Sequence, residues 1–152
     1  MYDETFIPSR ELKIFFKALE AQYGAVPAVF EECAFVRRKD RICMMARDVD
    51  KIPREGLRVN SLGLYVAEVK GDQLRLSIEG SQLIGPIAKR NVHEIDKEQL
   101  KEWFQGKDIK IEKEYEGFVI LKHNNDFVGS GKFKEGFILN FVPKARRIME
   151  MH

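Results

Sequence analysis

The stretch from residue 117 to residue 147 constrains the fold of this chain more than any other. Its apolar runs, at residues 118–121, 127–128 and 137–141, are separated by polar segments that contain Asn, Asp and Gly. Branched and aromatic side chains favour strands, and the intervening residue types tolerate the positive φ of tight hairpins. The stretch therefore predicts an antiparallel meander that ends in a basic segment.

Positive charge is concentrated in the same stretch. Residues 1–88 carry 13 basic and 13 acidic residues, whereas residues 122–147 carry six basic and two acidic residues. A local basic field attracts a polyanion, although lysines on an exposed strand can also serve only to block aggregation at a sheet edge. The charge pattern alone leaves both interpretations open.

The first half begins with a predicted amphipathic helix. Apolar residues recur at helical spacing from Leu12 to Tyr23. Ser9 stands where an N-cap belongs, and Gly24 is suited to the left-handed residue that ends a helix. We therefore expect a helix over residues 10–23.

Short strands are predicted after this helix, at residues 29–36, 42–46, 64–69 and 74–78. Residues 48–56 suit a loop or a short helix, and residues 80–85 suit a short helical turn. Because helices do not alternate with these strands, the fold class is α+β, with the opening helix packed on an antiparallel sheet. Gly85 and Pro86 then predict a boundary between domains 1–88 and 89–152.

The second half predicts a small β-barrel with one helix. A strand is expected at residues 91–95, a helix capped by Asp96 at residues 97–104, and a strand at residues 109–111 before the meander. Trp103 on that helix either anchors the core or stacks on a nucleic-acid base.

No arrangement typical of catalysis is found in the sequence. Cys33 and Cys43 match no zinc spacing, so reduced core thiols are expected, with a disulfide as the alternative. Gly129 and Gly131 flank one serine, but they lack the following helix whose N-terminus would bind a phosphate. We therefore interpret these glycines as bulge or close-approach positions. We therefore predict no enzyme, no cofactor and no metal site.

The acidic first residues lack a signal-peptide hydrophobic region, and no apolar run approaches the roughly 20 residues of a membrane span. We expect a cytoplasmic protein with no membrane partner.

Binding of single-stranded RNA suits the stretch at residues 117–147, because basic residues contact phosphates while aromatic rings stack on unpaired bases. Of Phe133 and Phe137, at least one is expected to be exposed.

The segment GFVILKHNNDFVGSGKF, residues 117–133, resembles the strand–turn–strand region of a PUA domain, a small RNA-binding β-barrel. The ending FILNFVPKARRI also resembles the RNA-binding tail of Sun-family ribosomal RNA cytosine methyltransferases. No methyltransferase domain accompanies it, so the resemblance does not imply that activity for this chain.

A wider resemblance involves short motifs in a fixed order, among them residues 61–63, 74–76 and 83–88. Their order is similar to that in archaeal and eukaryotic large-subunit ribosome biogenesis factors, which join a small α/β domain to a C-terminal PUA domain. This resemblance implies RNA binding in pre-ribosomal RNA processing, with pre-ribosomal proteins bound by the N-terminal domain. The RNA-binding positions that it implies are Lys132, Lys144, Arg146 and Arg147.

The sequence departs from that family at two positions near the meander. Val128 follows a turn in which the family tends to carry a proline, and Ser130 stands where an aromatic residue is common. The resulting hypothesis is a non-catalytic protein that binds ribosomal RNA, single-stranded or irregular, and not DNA. The alternatives are a protein–protein adaptor and a targeting subunit for an RNA-modifying enzyme.

Overall fold

The computed structural model describes residues 4–46 and 63–147, and within these ranges the chain forms two sheets. The first sheet contains five strands in the order β1-β2-β3-β4-β5, all paired antiparallel. This confirms the predicted antiparallel sheet of the first half. Its elements are β1 Glu4–Phe6, α1 Ser9–Tyr23, a 3-10 helix Ala28–Glu32, β2 Cys33–Arg38, β3 Arg41–Ala46, β4 Leu64–Lys70 and β5 Gln73–Leu76.

Helix α1 packs on one face of this sheet through the predicted apolar stripe. Phe15, Leu19 and Tyr23 are buried, and Gly24 ends the helix with a left-handed φ of 87°. The predicted N-cap was wrong by one residue. Pro8 occupies the N-cap position and makes no side-chain cap hydrogen bond. Ser9 is the first residue of the helix.

The predicted strand at residues 29–36 was correct only in its second part. Residues Ala28–Glu32 form a 3-10 helix, which places Phe30 in the core, and the strand begins at Cys33. Glu31 and Glu32 interrupt the apolar pattern and are exposed on that turn. The loop or helix predicted at residues 48–56 and the start of the motif at residues 61–63 lie outside the described residues.

The second sheet has the order β6-β8-β9-β10-β7, in which β6 is parallel to β8 and the remaining pairs are antiparallel. The predicted meander and the capped helix are both confirmed. Among the strands that the structure describes, no ladder joins β6 to β7, so a closed barrel is not shown. The elements are α2 Ile78–Ile84, a 3-10 helix Gly85–Ile87, β6 Val92–Glu94, α3 Lys97–Phe104, β7 Ile109–Lys110, β8 Phe118–His123, β9 Asp126–Lys134, β10 Phe137–Leu139 and a final 3-10 helix Lys144–Arg146.

Trp103 anchors the core of the second half. The side chain is 1% exposed, and its indole Nε1 donates a hydrogen bond to the carbonyl of Val128 at 2.8 Å. A capping box holds the start of its helix, because Asp96 and Gln99 exchange side-chain and backbone hydrogen bonds. Of the two roles open for Trp103, the structure shows the core anchor.

Buried contacts join the two sheets. Ser130 on β9 donates a hydrogen bond from its Oγ to the carbonyl of Leu76 on β5 at 2.9 Å. Ile120 on β8 belongs to the core cluster under α1, and the ring of Phe127 lies against Gly85. The proposed boundary at residue 88 stays a prediction, but the halves on either side of it pack against one another.

In the part of the chain that the structure describes, none of the helices has the length and apolar character needed to cross a bilayer.

Candidate nucleic-acid interface

The four predicted RNA-binding residues occupy different surroundings. Lys132 is exposed on β9, and Lys144 is exposed in the final 3-10 helix. Arg146 in the same helix is paired with a carboxylate, while Arg147 lies half-buried against the end of α3. The four therefore differ in exposure and in partners, and their role in RNA binding stays a prediction.

Arg146 forms an ion pair with Glu79 of α2. Its Nη1 lies 2.7 Å from Oε2 of Glu79, and the two side chains are 46% and 29% exposed. The pair ties the basic segment to the first half of the chain. It also means that a phosphate must compete with a carboxylate for this guanidinium.

Arg147 has a structural contact. Its Nε donates a hydrogen bond to the carbonyl of Val142 at 3.0 Å. The side chain covers Gly106, where an added Cβ would lie 2.7 Å from that Nε. Gly106 also has a φ of 89°, which L side chains rarely adopt, so both the turn and the packing favour glycine there.

A cavity of about 220 Å³ opens between the two sheets. We call it the seam cleft. Ser130 and Trp103 belong to its lining, together with the ends of β5 and α2. Its other charged and aromatic lining residues are Arg41, Tyr65, Arg75, Glu79, Phe141 and Arg146.

A row of charges crosses three neighbouring strands beside this cleft. Strand register places Arg41 opposite Glu68 and Glu68 opposite Arg75. Because Leu74 and Leu76 belong to the core under α1, Arg75 between them lies on the opposite face of the sheet. The row is thus a carboxylate between two guanidinium groups.

Glu68 holds several cations at once. Its carboxylate lies 2.7 Å from Nη2 of Arg75, 2.7 Å from Nζ of Lys70 and 3.9 Å from Nε of Arg41. Burial raises the pKa of Glu68, but the hydrogen bond from Lys70 and the nearby positive charges lower it, and the lowering prevails. Glu68 therefore stays ionised and fixes its partners in place.

Each arginine of the row also contacts a ring. The guanidinium carbon of Arg75 lies 4.5 Å from the ring centre of Phe141, and that of Arg41 lies 4.6 Å from the ring centre of Tyr65. Such contacts orient a planar cation while leaving donors available. Phe141 as a residue remains 37% exposed and belongs to the lining of the cleft.

A second cavity of about 370 Å³ adjoins the first, and Phe141 borders both. We call it the lysine hollow. Lys70 and Lys132 line it, together with Asp72 and Phe118. The structure therefore places Lys132, one of the predicted residues, at this hollow and Arg146, another of them, at the seam cleft.

The structure also defines the surroundings of several other residues. Phe137 is 41% exposed, which confirms that one of the two phenylalanines in question faces solvent. The Nδ1 of His123 lies 2.9 Å from the carbonyl of Ile95. Gly131 is a close-approach position, since an added Cβ would lie 2.2 Å from the carbonyl oxygen of Leu139. Cys33 and Cys43 remain thiols, the second of them buried.

The sequence did not show that side chains of three strands of the first half meet at the seam cleft. Arg41, Tyr65 and Arg75 lie on separate strands, and only the register brings them together. One local signal was available: Arg75 stands between two leucines on a short strand, and that alternation indicates a side chain on the face away from the core.

Comparison with known proteins identifies the second half more closely. Residues 90–148 match the family described as "Methyltransferase RsmF PUA domain". The second half thus carries a PUA domain within the mixed α+β fold described above. The match includes β6 to β10 and the final basic segment.

Three similar proteins are each named Ribosomal RNA small subunit methyltransferase F. The protein of Aeromonas salmonicida is 25% identical over 139 residues, which cover 91% of this chain and 28% of that protein. The protein of Vibrio cholerae is 28% identical over 89 residues, covering 58% and 19%. That of Vibrio vulnificus is 27% identical over 88 residues, covering 58% and 19%.

The chain spans at most 28% of the length of these three relatives. The matches support the expected resemblance to a PUA domain and to the tail of Sun-family methyltransferases. They give no support to the expected resemblance to large-subunit ribosome biogenesis factors. The short motifs behind that resemblance are small clusters of Gly, Leu and Pro, which turns and strand ends of many folds require.

Proposed function

We propose that this chain binds ribosomal RNA through its PUA half and the adjoining face of its first sheet, and that it carries no catalytic chemistry of its own. The observation that carries the proposal is the seam cleft, where guanidinium groups lie beside aromatic rings. Phosphate contacts and stacking surfaces are the two elements that proteins use to bind unpaired RNA. The match of residues 90–148 to a PUA domain supports the same function.

The role we favour within that function is targeting, in which the chain brings an RNA-modifying activity to ribosomal RNA. The names of the relatives, which are ribosomal RNA methyltransferases, favour this role. Participation in ribosome assembly, with pre-ribosomal proteins bound by the first half in the cytoplasm, is a further part of the proposal. We also propose that the second sheet curls into the small barrel expected of a PUA domain.

RNA binding is tested by fluorescence anisotropy with labelled ribosomal RNA fragments over a series of salt concentrations. Lys132→Ala/Lys144→Ala removes two exposed cations of the second half. If both contact phosphates, affinity falls and the slope of log affinity against log salt becomes shallower by roughly 0.7 per contact on a single strand.

The matched control is Lys13→Ala/Lys17→Ala, which removes two exposed lysines of α1. Helix α1 packs on the face of the first sheet opposite to Arg75. This control is expected to bind as the unmodified protein does. Equal losses in the two double variants would mean that general charge, rather than this surface, holds the RNA. An unmodified chain that binds no RNA at low salt would refute the proposed function.

The absence of catalytic chemistry is tested separately. Isothermal titration calorimetry with S-adenosylmethionine is expected to give no binding heat for this chain. A saturable isotherm with one site would contradict that part of the proposal and leave the RNA-binding part intact.

A further inference from the structure

Phe141 occupies an unusual place at the boundary between the two halves. Its ring borders both the seam cleft and the lysine hollow. Phe118 packs near it with ring centres 6.1 Å apart, and Arg75 covers part of it at 4.5 Å. The ring is held by its neighbours while 37% of the residue stays exposed.

Cations flank this ring in both cavities. Lys70 and Lys132 line the lysine hollow, while Arg41, Arg75 and Arg146 line the seam cleft. Against these five cations stand three carboxylates, which belong to Glu68, Asp72 and Glu79. The balance is positive by two charges, so the surface around Phe141 favours an anionic ligand.

Arg75 of the first half is held in a fixed orientation beside the seam cleft, with its side chain 16% exposed. Arg75 donates a hydrogen bond from its Nη2 to Oε2 of Glu68 and lies beside Tyr65. A guanidinium has five N–H donors, so donors remain after these contacts. Because Glu68 already fixes the orientation of Arg75, little side-chain freedom would be lost when a phosphate binds.

We propose that one segment of single-stranded RNA crosses the boundary between the two halves at Phe141, with an unpaired base stacked on that ring. Phosphates on one side of the base contact Lys70 and Lys132, and phosphates on the other side contact Arg75 and Arg146. This inference rests on the proposed function and names its ligand, an unpaired RNA strand. It also makes the first half part of the RNA site.

The chemistry favours an unpaired strand over a duplex or an acidic protein. A base in a duplex is already stacked between its neighbours and cannot cover a protein ring without unpairing. An acidic peptide would use the cations but would gain nothing specific from a phenyl ring between them. Stacking of a base on an aromatic side chain is tolerant of sequence, so the site would bind many single strands.

The test uses the full chain and a labelled single-stranded RNA of about 12 nucleotides, within the range that small single-strand-binding folds cover. Phe141→Leu keeps apolar contact with Phe118 but removes the ring. We expect a loss of about tenfold in affinity, in line with removal of one stacked base. Phe137→Ala is the matched control, because Phe137 is exposed to a similar extent and borders neither cavity.

A second variant addresses the first half. Arg75→Lys keeps the positive charge but loses the planar group that lies on Phe141, and we expect it to weaken binding several-fold with little change in salt slope. Thermal unfolding of each variant establishes that it is folded at the temperature of the binding assay.

The outcomes separate this inference from the proposed function. If the unmodified chain binds the RNA and Phe141→Leu binds as well as Phe137→Ala, the crossing at Phe141 is refuted and the proposed function survives. If the unmodified chain binds no RNA, the proposed function itself fails. Binding of poly-glutamate as tight as that of RNA, lowered by Arg75→Lys but not by Phe141→Leu, would indicate an acidic protein ligand and refute the inference.

Discussion

Replacing Glu79 by glutamine tests whether the basic C-terminal segment contributes to RNA binding. The substitution removes the carboxylate that lies 2.7 Å from Nη1 of Arg146. If Arg146 binds a phosphate, it must first give up this pair. Glu79→Gln should therefore strengthen RNA binding, although most substitutions near a binding surface weaken it.

The size of the gain follows from the exposure of the pair. The side chains of Arg146 and Glu79 are 46% and 29% exposed, so the pair is screened by solvent and stabilises by about 0.2–1 kcal/mol. Release of that energy corresponds to a gain of about 1.4-fold to fivefold in affinity. If Arg146 then contacts one more phosphate, the salt slope becomes steeper by roughly 0.7.

The assay is anisotropy with single-stranded RNA at several salt concentrations, with Glu20→Gln as the control. Glu20 is exposed on α1 and lies in neither cavity, so its neutralisation reports the effect of overall charge alone. A Glu79→Gln/Arg146→Ala double variant should lose the gain. Weaker binding by Glu79→Gln, or a gain equal to that of Glu20→Gln, would refute the assignment of Arg146 to the RNA surface.

Three further predictions concern stability. Ser130→Ala should lower the free energy of unfolding by about 1 kcal/mol in denaturant titrations, because it removes the buried hydrogen bond to Leu76. Ser9→Ala is the control and should change the free energy of unfolding little, because Ser9 is not the N-cap and α1 has no side-chain capping bond. Gly131→Ala should lower the free energy of unfolding by about 1–3 kcal/mol, since the new Cβ would meet the backbone of Leu139. A smaller loss would show that β9 and β10 can separate slightly. Since the pKa of Glu68 is lowered on folding, its ionised form stabilises the fold above the ordinary value of 4.5, and this contribution is lost as the pH falls through the lowered pKa. The stability difference between the unmodified chain and Glu68→Gln should therefore shrink on acidification, and a constant difference would contradict that origin.

The sequence by itself determined most of the local structure. Periodicity placed α1, the Asp96 cap placed the start of α3, and turn residues separated the strands of the meander, because side-chain spacing and turn chemistry act over a few residues. The residue pattern also indicated a PUA domain, which the comparison of residues 90–148 supports. Residues 29–32 were assigned wrongly because a short apolar run suits a strand and a 3-10 turn equally well.

Only the tertiary structure decided which charges are available and where they meet. The sequence alone predicts that Arg146 is an exposed cation without a partner. In the structure, it forms an ion pair with Glu79, which lies 67 residues earlier in the chain. Arg41 and Arg75 become neighbours of Glu68 through strand register, and Phe141 reaches Arg75 only because the two sheets pack together. Cavities and ion pairs depend on contacts between distant segments, and local spacing carries no information about which segments those are.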